Sequence, residues 1–139
     1  MDLTDCYKQG FIRKARLDKE LIKSLIEMSN IKDNAVTTAN ITENNISAYV
    51  SLTYDSLREA LEALCLSREY KVTNHQCIGE LLKEMLTDFD YSEFDRYRYI
   101  RNGINYYGTK IEFKQGKEII QKILVIKNRI IQKYLKEYT

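Results

Sequence analysis

Between Asp95 and Glu112 the chain carries no acidic residue, and into that interval fall Arg96, Arg98, Arg101 and Lys110 together with Tyr97, Tyr99, Tyr106 and Tyr107. Arginine binds a phosphate bidentately and tyrosine stacks on a base, so the two interleaved in one segment suit a nucleotide or single-stranded RNA. The same composition fits tyrosines packed into a core with arginines on a solvated face, and composition alone leaves both readings open. Spacing adds detail. Arg98, Arg101 and Asn105 follow one another at three and four residues, and Asn102 and Tyr106 are four apart, so on a helix two adjoining polar rows run through the segment. Arg101 and Tyr106, five apart, are separated by about 140° on a regular helix. Their meeting calls for a helix disturbed at Gly103 or for a second copy of the chain across a two-fold axis.

Other chemistries find less to work with. The single histidine, His75, follows Asn74 and reads as a surface residue at a helix start. With one histidine, three scattered cysteines and neither an H-E-x-x-H nor a C-x-x-C spacing, no metal site and no cofactor are expected. Gly116-Lys117 is not a phosphate loop, because Ile111 stands where the upstream glycine belongs.

The elements that must position the Arg98–Tyr107 segment are helical by pattern. Leu17, Leu21, Leu25 and Met28, with Ile22 and Ile26 beside them, predict an amphipathic helix over about Leu17 to Asn30, and the small polar residues from Thr38 to Asn45 predict a connection. Tyr49, Val50, Tyr54, Leu57, Leu61, Leu64 and Cys65 form a broad apolar stripe, the mark of a central core helix over about Ile46 to Leu66. Thr73 or Asn74, with Asn74 preferred, caps a helix carrying Ile78, Leu81, Leu82, Met85 and Leu86. Ser92 is the expected cap of the segment helix, which runs to Tyr107 and stops at Gly108-Thr109, and Ile119, Ile123, Ile126, Ile130 and Tyr134 predict a long last helix from about Gln115 to Tyr138. No strand is required. The reading is all-α, a four- to five-helix up-and-down bundle forming one domain over residues 1–139.

A formal charge of +2 is too small for whole-surface attraction to nucleic acid or anionic lipid, so any basic surface must be local. Cys6, Cys65 and Cys77 are odd in number and widely spaced, which fits reduced, partly buried thiols. The first residues lack the basic and apolar regions of a secretory signal and no apolar run approaches the ~20 residues of a membrane span, so a cytoplasmic protein without membrane contact is expected.

At Arg101-Asn102 the sequence resembles the HEPN domain, whose signature is an arginine, a polar residue such as asparagine, and a histidine after four to six intervening positions. Tyr106 stands where a four-residue gap would put that histidine. Tyr54-Asp55-Ser56-Leu57-Arg58-Glu59-Ala60-Leu61-Glu62-Ala63-Leu64 and Glu69-Tyr70-Lys71-Val72-Thr73-Asn74-His75 are similar to the central helix and following turn of small prokaryotic HEPN proteins, and the resemblance runs from roughly Ile12 to Leu135. It implies an up-and-down helical bundle, frequently a homodimer with the motif helices at the interface. It also implies binding of RNA or a nucleotide, or of a nucleotidyltransferase partner as in toxin–antitoxin pairs. In active members it implies metal-independent RNA cleavage, with histidine moving a proton and arginine stabilising charge on the phosphate.

Carried onto this chain, Arg101, Asn102 and Tyr106 take the catalytic positions, and Arg98, Arg101, Asn102, Asn105 and Tyr107 are the expected contacts to nucleotide or RNA. A tyrosine with its ordinary pKa near 10 is about one part in a thousand ionised at neutral pH, so catalysis is expected to be lost or weakened while binding survives. The rivals are an endoribonuclease in which Arg98 and Arg101 activate Tyr106, and a scaffold module whose basic segment packs against an acidic partner.

Overall fold

A helix that is apolar around most of its circumference must be covered on most of it. The computed structural model describes residues 1–139 and is built around such a helix. In chain order the elements are α1 (Leu3–Lys8), β1 (Ile12–Lys14), α2 (Lys19–Thr38), α3 (Ile46–Ser67), β2 (Tyr70–Val72), α4 (His75–Met85), α5 (Tyr91–Tyr107) and α6 (Phe113–Tyr134), followed by a 3₁₀ turn at Lys136–Tyr138. The class is all-α, as the sequence predicts. α3 is the central helix: α2, α4, α5 and α6 all pack on it, and Tyr54, Leu57, Leu61, Leu64 and Cys65 are buried along it.

Three expectations need correction. A ribbon exists where none was expected: β1 pairs antiparallel with β2, Ile12 opposite Val72 and Lys14 opposite Tyr70. Three-residue strands are too short to show a period in sequence; what sustains them is the burial of Ile12 and Val72 against the core. The cap of α5 is Asp90, whose carboxylate accepts from the Glu93 amide at 3.0 Å, and not Ser92. α2 starts at Lys19, after Leu17, and continues to Thr38, two turns past its expected end; it turns Ile22, Ile26, Ser29 and Val36 inward while Leu21 and Met28 lie exposed.

The rotation of α2 follows from a polar seam. Ser29 Oγ donates to the Ser56 carbonyl at 2.8 Å and Ser56 Oγ donates to the Ser29 carbonyl at 3.0 Å, Lys32 pairs with Glu59, and Asp33 accepts from Ser56. From α6, Lys127 reaches Asn30 Oδ1 at 2.5 Å and Asp33 Oδ2 at 2.6 Å, with only 1% of the residue exposed. An ammonium taken out of water is tolerable only when paired, and removing one partner of such a pair costs about 3–5 kcal/mol. Lys127→Met should therefore lower stability to urea by about 3 kcal/mol, the low end applying because Asp33 keeps some solvent access.

The thiols are not all reduced. α1, closed by a reciprocal cap between Asp2 and Asp5, packs on α4 and brings Cys6 to Cys77, which form a disulfide with Cα atoms 5.8 Å apart; Cys65 alone is free, buried in α3. Sequence spacing could not pair two cysteines 71 residues apart, and the pair removes the support that cysteine usage lent to a reducing compartment. No helix is long and apolar enough to cross a membrane. Closing a loop of this size restricts the unfolded chain by about 4 kcal/mol. Adding reductant should lower the unfolding free energy by up to that amount, and Cys77→Ser without reductant should match it.

Candidate functional site

α4 begins where the ribbon ends, and this fixes one wall of the site. Thr73 N–H donates to the Phe11 carbonyl at 2.9 Å, Asn74 follows at once as the cap, and its side chain accepts from the Cys77 amide at 3.2 Å. The ribbon on one side and the disulfide at Cys77 on the other hold the first turn of α4 in place. That turn faces α5 across a cleft of about 260 Å³ lined by Thr73, Asn74, His75, Gln76, Arg98, Arg101, Asn102 and Tyr106. Free amides at a helix start carry partial positive charge, and here two arginines stand opposite them.

Arg101 is the centre of the arrangement. Its side chain is largely buried, its Nη2 lies 3.6 Å from Asp55 Oδ1 on α3, and its guanidinium carbon lies 5.8 Å from the ring centres of both Tyr54 and Tyr106. Nη1 donates to Tyr106 Oη at 3.4 Å and, weakly, to Asn102 Oδ1 at 3.5 Å. The expectation that Arg101 and Tyr106 need a disturbed helix or a second chain is overturned, since α5 runs unbroken from Tyr91 to Tyr107 and the two long side chains reach around its surface. The helix ends at Gly108, whose φ of 67° suits a residue without Cβ.

The remaining expected residues separate. Arg98 lies in the cleft and is held by Asp95 Oδ1 at 2.8 and 3.0 Å. Asn105 faces α3 instead, accepting from Ser51 Oγ at 2.8 Å, and Tyr107 is 84% exposed at the end of α5, outside the cleft lining. Asp95 and Asp55 thus offset part of the positive charge, the second from an element the local sequence could not reveal.

His75 is not the plain surface residue of the sequence reading. It is half-buried at the start of α4, its ring 5.9 Å from that of Tyr54, with Nδ1 3.5 Å from Tyr54 Oη. Burial, followed by the positive fields of Arg58, Arg101 and Arg98, lowers its pKa from 6.5 to about 4, so the imidazole is neutral at pH 7. Burial also pushes the Tyr54 phenol above its ordinary range despite the arginines beside it. Beneath the cleft, Asp55 Oδ1, Arg58 Nε and Arg101 Nε are buried without hydrogen-bond partners. A neutral imidazole, two arginines and a helix start around one polar recess can bind an anion, and the imidazole can accept a proton from a group held there. The available signal for this grouping was the capping asparagine directly before the only histidine; its distance in sequence from Arg101 hid the rest.

A folded-state pKa below the unfolded one means that acid favours the unfolded chain. The contribution of His75 to stability is complete above about pH 6.5 and declines as the pH falls from there towards about 4. His75→Gln should flatten the stability profile across that interval, and an imidazole resonance in wild type titrating near 6.5 would contradict the assignment. The chain matches no protein-family profile, no curated protein and no solved structure.

Proposed function

We propose that this chain is a HEPN-type domain that binds the phosphate backbone of single-stranded RNA in the cleft between the start of α4 and α5. The observation that carries the reading is the placement of Arg98 and Arg101 opposite the capped first turn of α4, around a recess with a single hydrophobic lining residue. Each component favours an anion, and all of them line one cleft. Tyr106 at the cleft, 69% exposed, and Tyr107 and Tyr99 beyond it, 84% and 76% exposed, offer ring faces to bases. A fixed phosphate contact flanked by exposed aromatic rings suits a flexible single strand better than a duplex, whose bases are stacked away.

A second reading is favoured by one specific observation, the presence of His75 in the cleft. The imidazole is absent from the motif in sequence but lines the cleft from α4, which supports metal-independent cleavage: His75 takes the proton of a ribose 2′-hydroxyl, the 2′-oxygen bonds to the adjacent phosphorus to give a cyclic phosphate, the 5′-oxygen leaves with a proton from water, and Arg101 stabilises charge on the phosphate. Tyr106 then orients Arg101 through its hydroxyl and stacks.

Titration of labelled single-stranded RNA at two salt concentrations in EDTA, with products resolved on a denaturing gel, tests both readings. Binding is expected to weaken with salt, each neutralised phosphate contributing about 0.7 to the slope of log affinity against log salt. Arg101→Ala should weaken binding by roughly tenfold to a hundredfold, the equivalent of a charge-assisted hydrogen bond, and flatten the slope by about 0.7. RNA unbound at low salt would exclude both readings and leave the scaffold module. Cleavage lost in both His75→Ala and Arg101→Ala, with a rate falling as the pH drops through about 4, would select the enzyme.

A further inference from the structure

A second cavity shares no residue with the arginine cleft. α5 and α6 both pack on α3 and leave between them an open trough of about 560 Å³, floored by Leu57, Leu61 and Leu64 and walled by Phe94, Ile126 and Ile130. Small-molecule sites occupy about 300–1,000 Å³ and are mostly apolar with a few convergent polar groups, and this trough has that character. One end is closed by a clasp in which Asp88 accepts from Lys133 Nζ at 2.5 Å and from Tyr134 Oη at 2.6 Å. From Lys122 to Lys133 the α6 wall runs for about 16 Å, long and narrow like an extended alkyl chain.

The charges on the rim sort by whether the fold already uses them. Asp88 is held in the clasp, Asp90 caps α5, and Glu93 lies 3.9 Å from Arg96. Lys122 and Arg129 also line the trough and make no ion pair. In the wall, Tyr97 is 1% exposed and its hydroxyl, with the Glu93 carboxylate nearby, makes no hydrogen bond at normal distance and angle. A buried hydroxyl left unbonded is unfavourable, so a ligand oxygen that accepts from it recovers that loss on binding.

We propose that this trough binds an anionic amphiphile, a straight alkyl chain ending in a carboxylate or a comparable anion. The chain lies on the leucine floor, the head pairs with the free cations of α6, and the Tyr97 hydroxyl donates to an oxygen of the head. The observations favour this occupant over a cationic or neutral one because two cations, Lys122 and Arg129, are without an ion pair against one carboxylate, Asp90, which is turned to the start of α5 as its cap.

The test is calorimetric titration of the full chain with dodecanoate below its micellar concentration, with dodecyltrimethylammonium as the charge-reversed comparator. One saturable site preferring dodecanoate is expected. Arg129→Glu and Val125→Glu should each weaken it about tenfold, and Tyr97→Phe roughly threefold. Val125 is 55% exposed, so its substitution leaves the fold intact. RNA titration of the same variants should match wild type, which keeps this site separate from the arginine cleft. Absence of saturable binding, equal binding of the cation, or binding indifferent to these substitutions would overturn the proposal. So would a dimer that Val125→Glu dissociates in sedimentation, which would make a second copy the occupant.

Discussion

The burial of α3 is the constraint on which the other elements depend. Its apolar stripe is too broad for one neighbour, so four helices must close around it, and each takes its orientation from what α3 presents. Where α3 offers leucines, α5 and α6 meet it with Phe94, Tyr97, Ile119, Ile120 and Ile123. Where it offers Ser56 and Glu59, α2 answers with Ser29, Lys32 and Asp33, and Lys127 of α6 completes the polar seam. Burying polar groups is tolerable because they are partnered, and the partnering fixes the rotation of α2 more firmly than its leucines do.

α3 also couples the core to the arginine cleft. Tyr54 and Asp55 project from the same helix that carries the leucine floor, and between them they hold Arg101 by a ring face and a carboxylate. The other wall is held from the amino-terminal side, by the β1–β2 ribbon ahead of Asn74 and by the disulfide at Cys77. The start of α4 is thus fixed at both flanks before it meets α5. Binding of the kind proposed depends on this rigidity, because helix-start amides and guanidinium groups hold an anion well only when already converged.

The same geometry sets the chemical character of the cleft. Burial and three neighbouring arginines oppose protonation of His75, so positive charge is carried by the arginines while the imidazole stays neutral at pH 7. Asp95 and Asp55 moderate that charge, leaving a local site in a chain of almost no net charge.

The sequence by itself determined the all-α class, five of the six helices, the central place of Ile46–Ser67, and the one helical segment that carries Arg98, Arg101, Asn102 and Tyr106. These are properties of periodicity and of neighbours three to five apart, which a helix carries unchanged into the fold. Tertiary structure alone decided the ribbon, the Cys6–Cys77 bond, the inward face of α2 and the arrival of His75 beside Arg101. Each of these joins residues far apart in the chain. Whether a polar side chain faces solvent or a partner then depends on the packing of whole helices, a relation that local spacing does not encode.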